Sequence, residues 1–183
     1  MTGRAIPDHC ACETLVLGCG NDLFGDDGFG PAVARRLHEA PGLPAGVCAL
    51  DVGSGARKVL FDVLLGPVRP RRIVVVDAVD MGRAAGEVWC IEAEELPEVK
   101  LDDFSMHQVP TSNLLRELSA LAGVRVTCVV GQVSGFPPEV RPGLSAVMCR
   151  AVDRAVTAVL NLCASPLEER VPVSPAGCDI EKA

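Results

Sequence analysis

Two aspartates and one histidine are the side chains in this sequence whose types and positions are best suited to chemistry. Asp27 lies in the glycine-rich stretch GCGNDLFGDDGFG, Asp77 follows the apolar run RIVVV, and His107 lies in the segment SMHQ. Two carboxylates and one imidazole can hold a divalent transition metal and leave positions open for water or substrate. These residues are far apart in the chain, so the fold must bring them together.

Each of the three residues also has an ordinary structural interpretation. An aspartate at the start of a helix is a common cap or dipole partner, and Asp26 fits that role while Asp27 points into the cleft. Asp77 at a strand end can satisfy loop amides, and a loop histidine such as His107 often hydrogen-bonds to the backbone. The metal hypothesis therefore depends on the three side chains converging at one edge of a sheet.

The hydrophobic pattern predicts an alternation of strands and helices that would produce this convergence. Apolar runs predict strands, and apolar residues at helical spacing predict helices. The predicted strands are Thr14 to Cys19, Gly46 to Val52, Arg72 to Val76 ending at Asp77, Gly86 to Ile91, and Val124 to Val130. The predicted helices are a segment with Phe29, Val33 and Leu37 on one stripe, then Gly55 to Leu65, Pro110 to Leu121, and Leu144 to Cys163 with Ser145 as its N-cap. Residues Asp102 to Gln108 are predicted to be loop.

This order of elements predicts a three-layer αβα sandwich around a twisted, mostly parallel five-stranded sheet. The connection into Gly86–Ile91 is too short for a crossover helix, so that strand is expected to be antiparallel at an edge. We expect one domain over residues 13–163, with flexible tails at 1–12 and 164–183. Ligands of such sheets bind at the carboxyl ends of the strands, near a switch in strand order, where Asp27 and Asp77 should meet.

The composition narrows the classes of partner and location. The chain has 183 residues, 49% of them hydrophobic, and 17 basic against 24 acidic residues give a net charge of −7. Nucleic acid is therefore an unexpected partner. The sequence has no signal-peptide pattern and no apolar run of the roughly 20 residues that a membrane span needs, which predicts a cytoplasmic protein. Its nine cysteines include no C-x-x-C pair and are interpreted as small hydrophobic residues in a reducing compartment.

Other chemistries fit the sequence less well. The glycine-rich loop resembles part of a dinucleotide-binding motif, but Leu23 occupies the position of the third glycine, and Asp26 and Asp27 would repel a pyrophosphate. Cys19 follows an apolar strand and has no identifiable base, which disfavours a thiol nucleophile. His9 with Cys10 and Cys12 is similar to a metal-binding fragment but lies in the expected N-terminal tail.

Five segments occur in an order that is typical of one protein family. They are GCGNDLFGDDGFG, DVGSG, VVVDAVDMG, SMHQ, and VVGQ leading through PGLS into the last helix. The sequence resembles, from about Thr14 to Cys163, the hydrogenase maturation endopeptidases, which trim a C-terminal extension from the large subunit of nickel–iron hydrogenases. RKVLFDVL and SMHQVPTSNLL are most similar to the branch that serves deazaflavin-reducing hydrogenases of methanogens.

The resemblance implies a specific function and site. Asp27, Asp77 and His107 match the residues that contact metal in that family, Asp51 matches a residue that shapes the cleft, and Ser54 replaces the usual threonine. The implied metal is nickel already inserted in the large-subunit precursor, so the free enzyme is expected to be metal-poor. We expect an endopeptidase of this kind, in which the nickel either only positions the substrate or also takes part in catalysis. The alternative is a metallohydrolase that acts on a small molecule with its own bound divalent metal.

Overall fold

The computed structural model describes residues 11–40, 42–96 and 112–166, which form one five-stranded sheet with helices on both faces. The strands are β1 (Thr14–Cys19), β2 (Val47–Gly53), β3 (Arg72–Val79), β4 (Val88–Glu92) and β5 (Arg125–Gln132). The helices are α1 (Phe29–Glu39), α2 (Ala56–Leu65), α3 (Ser112–Ala122) and α4 (Ala146–Ala164), and a 3-10 turn, Gly25–Gly28, precedes α1. The predicted strand and helix segments are confirmed, with shifts of a few residues at their ends.

The strand order is β2-β1-β3-β5-β4. β1 pairs in parallel with β2 on one side and β3 on the other, and β3 pairs in parallel with β5. β4 pairs antiparallel with β5 at the edge of the sheet. The prediction of a mostly parallel sheet with one antiparallel edge strand is therefore confirmed.

The sheet is buried on both faces, which explains why its central strands are almost uniformly apolar. Alternate residues of β1 lie on opposite faces, with Leu15 and Leu17 on one face and Val16 on the other. The first face packs against Leu60 of α2 and its neighbours in α2 and α3, and the second packs against α1 and α4. The two apolar clusters and the sheet between them make the three predicted layers.

β3 differs from its predicted extent in a way that matters for the site. The prediction ended this strand at Val76, with Asp77 as its terminus, and that prediction is wrong because β3 continues to Val79. β1 stops pairing with β3 at Gly18 and Val76, whereas β5 continues to pair with β3 as far as Val79 and Gln132. Asp77 therefore lies inside a strand on its β5 side and beyond the end of β1 on the other side.

Several smaller expectations are settled by the described residues. Ser145 is the N-cap of α4, because its hydroxyl accepts a hydrogen bond from the Met148 N–H at 3.3 Å, as predicted. Cys12, which the sequence analysis assigned to the N-terminal tail, is buried beside Cys48. The seven described cysteines are free thiols. The stretch Asp102 to Gln108, with His107, and the terminal residues His9 and Cys10 lie outside the described residues.

A search of the described helices finds none whose length and apolar character would let it span a bilayer. The proposed tails and the cytoplasmic location remain predictions.

Candidate active site at the carboxyl edge of the sheet

The strand order places a crevice at the carboxyl ends of β1 and β3. The chain leaves β1 through α1 to reach β2 on one side, and then returns through α2 to β3 on the other side. The two helices lie on opposite faces of the sheet, so the direction in which the chain crosses the sheet reverses between β1 and β3. A crevice of this kind is the usual ligand site of an open parallel sheet.

The glycine-rich loop after β1 is held by close contacts between backbone atoms. Gly20 has φ +127°, and a Cβ atom added there would lie 1.9 Å from the carbonyl oxygen of Asp27. A Cβ on Gly18 would lie 2.3 Å from the carbonyl oxygen of Gly30 in the first turn of α1. Close packing of the backbone therefore explains why these positions are glycine. A phosphate bound in the loop, as the dinucleotide hypothesis requires, is not needed to explain them.

Hydrogen bonds within this loop fix the backbone of Asp27. The N–H of Asn21 donates to the Asp27 carbonyl at 3.3 Å, and the N–H of Asp27 donates to the Phe24 carbonyl at 3.2 Å. The side-chain oxygen of Asn21 also accepts from the N–H of Leu23 at 3.0 Å. The Asp27 residue is half-buried and lies at the carboxyl edge of the sheet.

Asp77 is buried and lies close enough to Asp27 to be affected by its charge. Burial raises the pKa of the Asp77 carboxyl to about 7, a hydrogen bond from the Ala78 N–H at 2.8 Å counteracts part of that rise, and the charge of Asp27 adds to it. Only 5% of Asp77 is exposed. The structure thus places two of the three predicted ligands within electrostatic range of each other, and a cation bound there would favour the ionised carboxylates.

Asp26 has a structural role. It is buried, and its carboxylate accepts hydrogen bonds from the N–H of Ser145 at 2.7 Å and from its hydroxyl at 2.9 Å. Because Ser145 caps α4, Asp26 connects the loop after β1 to the start of the last helix. Asp26 therefore has a structural role, but the expectation that it caps the helix that follows it is wrong, because neither the 3-10 turn nor α1 has a side-chain cap and Asp26 supports the start of α4 instead.

Cys19 lies on the same side of the sheet as Asp77, but it is not a plausible nucleophile. It is 1% exposed, and burial together with the nearby Asp77 raises its thiol pKa well above the usual value. The thiolate, which is the reactive form, is therefore scarce at neutral pH. This agrees with the sequence analysis, which disfavoured a thiol mechanism.

Two further groups shape the site and were missed from the sequence. Arg35 of α1 donates to both Asp22 oxygens, at 2.9 and 3.1 Å, and to Asp51 at 2.5 Å. This exposed ion pair connects the loop after β1 to the end of β2. Arg35 could not be identified beforehand because its partners lie 13 and 16 residues away in the chain.

Gln132 at the end of β5 was noticed only as part of the VVGQ segment. It is buried, and its side-chain oxygen accepts from the N–H groups of Met81 and Arg83 at 3.0 and 3.2 Å. Its amide nitrogen donates to Asp80 at 2.9 Å and to the Val133 carbonyl at 2.8 Å. Gln132 therefore fixes the loop that follows Asp77.

The third predicted ligand, His107, lies outside the described residues. Among residues 11–40, 42–96 and 112–166, no three His, Cys, Asp or Glu side chains are grouped so that they could hold a metal ion. The carboxylates of Asp27 and Asp77 are oxygen donors of a type that suits divalent metals, and a metal site here would need a third ligand from elsewhere. The assignment of all three residues as metal-contacting remains a prediction.

The fold and this pair of carboxylates define an αβα protein with a carboxylate site at the switch point of a parallel sheet. Comparison with known proteins gives the family. The model of the hydrogenase maturation protease family matches residues 31–162, and the chain belongs to this family. The resemblance inferred from the sequence segments is therefore confirmed, and the family is one of proteases.

Individual relatives agree with this assignment. A Methanocaldococcus jannaschii protein provisionally named a hydrogenase maturation protease is 36% identical over 150 residues, which cover 81% of this chain and 95% of the relative. The coenzyme F420 hydrogenase subunit delta of Methanothermobacter thermautotrophicus is 34% identical over 153 residues, 81% of this chain and 93% of the relative. Among solved structures, a hydrogenase-maturating endopeptidase of Escherichia coli superposes with a TM-score of 0.65 at 25% identity and covers 82% of this chain and 91% of its own.

Proposed function

We propose that this protein is an endopeptidase that removes the C-terminal extension of a nickel–iron hydrogenase large-subunit precursor after nickel has been inserted, and that it recognises the precursor through that nickel. The observation that carries the proposal is the buried Asp77, whose pKa is raised in part by the charge of the half-buried Asp27, at the carboxyl edge of the sheet in a chain that belongs to the maturation proteases. Membership of the family supports the precursor as the substrate, and the pair supports a metal as the feature recognised.

In this proposal the nickel is part of the substrate. Asp27 and Asp77 would supply two oxygen ligands and His107 one nitrogen ligand to a nickel ion that is already held by the precursor. The buried carboxyl of Asp77 is costly to ionise in the free protein, and a divalent cation would compensate that cost by favouring the charged form. A precursor without nickel offers no such compensation, which would make it a poor substrate.

The coordination would position the peptide to be cleaved beside the crevice. Holding a peptide and an attacking water in a fixed arrangement lowers the barrier without a dedicated protein nucleophile. Cys19 is protonated and buried, so this account assigns it no role. Polarisation of the peptide carbonyl by the nickel would add ordinary metal-ion catalysis to the same arrangement.

The identity of the precursor is supported by one relative in particular. The name of the Methanothermobacter thermautotrophicus relative is coenzyme F420 hydrogenase subunit delta, and it covers 81% of this chain. Together with the RKVLFDVL and SMHQVPTSNLL segments, this supports a deazaflavin-reducing hydrogenase as the source of the precursor.

The test is a processing assay with purified precursor, with and without nickel, read by mass spectrometry of the large subunit. We expect loss of the extension only from the nickel-loaded precursor. The variants Asp27→Asn, Asp77→Asn and His107→Gln should each lower the rate by more than about 10-fold, since changing even the groups that hold metal ligands in place commonly costs about 10- to 100-fold. Asp153→Asn is the matched control, since Asp153 is exposed on α4 and pairs only weakly with Arg36 at 3.4 Å.

Two outcomes would contradict the proposal. Equal cleavage of nickel-free precursor would show that recognition does not depend on the metal. Full activity of the variant that lacks Asp27, Asp77 and His107 would show that these residues do not form the active site. A purified protein with one tightly held metal ion per chain would instead favour the metallohydrolase alternative.

A further inference from the structure

A cavity borders the loop that carries Asp27. Its volume is about 570 Å³, and it is open to solvent. We call it the Arg141 cavity; it is lined by the 3-10 turn after β1 and by the segment after β5, including Gly25, Asp26, Phe136, Pro137, Arg141 and Ser145. Its volume lies within the range of ordinary ligand pockets.

The cavity is fixed relative to the proposed active site. The N–H of Arg141 donates to the Leu23 carbonyl at 2.8 Å, and Phe24 and Arg141 form an isolated parallel bridge. On the other wall, Ser145 donates to the buried carboxylate of Asp26. Asp26 and Asp27 are neighbours in sequence, about 3.8 Å apart at Cα, so the cavity wall continues directly into the proposed metal site.

The charges in the cavity are not balanced. The Arg141 side chain is exposed, and within the described residues its guanidinium has no carboxylate partner. Asp26, the acidic residue of the lining, is buried and its oxygens are used by Ser145. Arg141 is thus an exposed cation in a lining that also includes Phe136 and Pro137, in a protein whose net charge is −7. An arginine in this setting is suited to bind a carboxylate with two parallel hydrogen bonds.

We propose that the Arg141 cavity binds a carboxylate of the precursor's C-terminal extension and so holds the extension while the bond beside Asp27 and Asp77 is cleaved. This inference rests on the proposed function. A cavity of this size admits an extended chain end but not a folded domain, and every C-terminal segment ends in a carboxylate. Arg141 is therefore a specificity residue and not a catalytic one.

The first test separates binding from catalysis in the processing assay with nickel-loaded precursor. Arg141→Gln should raise KM by about tenfold and change kcat by less than about twofold, because the lost contact is the same in the ground state and the transition state. Arg141→Glu should raise KM further. Arg150→Glu is the control of equal charge change, since Arg150 is exposed on α4 and is not part of the lining. Equal KM values for the Arg141 variants and the wild type would overturn the proposal.

The second test measures binding of the extension alone. A fluorescent peptide with the sequence of the extension is titrated with the wild type and with Arg141→Gln, and anisotropy is recorded. Amidation of the peptide's C-terminus should weaken binding if the terminal carboxylate occupies the cavity, and replacement of its acidic side chains by amides should weaken binding if one of those does. Binding that neither change affects, or that Arg141→Gln leaves intact, would contradict the proposal.

The two proposals fail in different ways. If the wild type does not cleave the nickel-loaded precursor, the proposed function is wrong whatever the peptide does. If the wild type cleaves in a nickel-dependent manner but the Arg141 variants have unchanged KM and peptide affinity, only the role of the Arg141 cavity is wrong. Equal melting temperatures of the variants and the wild type show that a loss does not result from unfolding.

Discussion

Asp77 is the residue whose environment departs most from that of an ordinary aspartate in water. Its carboxyl is buried beside Asp27, and its pKa is raised to about 7 from a usual value near 4. The folded protein therefore binds this proton more tightly than the unfolded chain does. Between pH 4 and pH 7 the folded state loses stability as the pH rises, and above pH 7 the full loss is present. A site that is costly in the free protein is typical of one that is completed by a ligand.

Asp77→Asn should make the free protein more stable at neutral pH. Asparagine keeps an oxygen for the Ala78 N–H and removes the group that must ionise. The gain in free energy of unfolding should be near zero at pH 4 and should rise to about 2–4 kcal/mol at pH 7.5. Urea unfolding at a series of pH values measures it, with Asp153→Asn as the control. A gain that is the same at pH 4 and pH 7.5 would contradict the assigned cause.

Gly20 is the residue at which the loop tolerates a side chain least. Its φ is positive, and an added Cβ would meet the carbonyl of Asp27, which is backbone and cannot rotate away. We expect Gly20→Ala to cost about 2–4 kcal/mol of unfolding free energy and to abolish processing, because Asp27 must move.

Gly42→Ala is the control for this substitution, since Gly42 has an ordinary φ and no atom within 4 Å of the added Cβ. Thermal unfolding and the processing assay measure the two effects. Wild-type activity of Gly20→Ala would show that the loop is less constrained than its contacts indicate.

Among the secondary-structure elements, the start of α4 is the one most closely tied to the site. Ser145 caps the helix through the Met148 N–H and donates two hydrogen bonds to Asp26 in the loop after β1. One residue therefore links the last helix to the loop that carries Asp27. The segment after β5 adds a second link, through Arg141 and Leu23.

Ser145→Ala should lower the unfolding free energy by about 1–3 kcal/mol, since it removes the helix cap and one of the partners of the buried Asp26 carboxylate. Ser165→Ala at the other end of α4 is the control, because the Ser165 hydroxyl is exposed and donates only to the Asn161 carbonyl. Its effect should stay within about 0.5 kcal/mol. Chemical unfolding compares the two, and equal losses would argue against the link to Asp26.

β3 and β5 show how one element decides where another ends. The sequence suggests that Asp77 terminates β3, because aspartate is uncommon in strands. β5 continues past that point and pairs with β3 up to Gln132. The extra length places Gln132 where it can hold the loop after Asp77.

At the scale of the whole molecule, the site lies at the carboxyl ends of β1 and β3, where the strand order reverses. Among the described residues, no three His, Cys, Asp or Glu side chains are grouped so that they could hold a metal ion. In the proposed function, the precursor would supply the remaining ligands of its nickel, so enzyme and substrate would together complete one coordination sphere.

The free protein should therefore purify with little metal. We expect elemental analysis to find less than about 0.1 nickel per chain in the free protein. We also expect the inactive Asp77→Asn variant to bind the nickel-loaded precursor more weakly than the wild type does. Size-exclusion chromatography of the mixtures, with and without nickel in the precursor, measures the second effect. A wild-type protein that binds nickel-free precursor equally well would contradict metal-based recognition.

The sequence by itself determined the layers of this fold and the loop that carries Asp27. Periodicity reports on local backbone and burial, so the five strands, the four helices, the antiparallel edge strand and the Ser145 cap could be predicted from short segments. Asp27 follows β1 and Asp77 lies near the end of β3. Because these strands were predicted to be parallel, the sequence also indicated that the two carboxylates lie at the same edge of the sheet.

The tertiary structure alone decided the features that depend on distant pairs. The partners of Arg35, the use of Asp26 by Ser145 of α4, the length of β3 and the raised pKa of Asp77 each arise between segments far apart in the chain. Arg141, which has no carboxylate partner among the residues that the structure describes, belongs to the same class. Such pairings depend on where the strands and helices pack, and a single sequence records residue types but not the desolvation and neighbours that packing imposes.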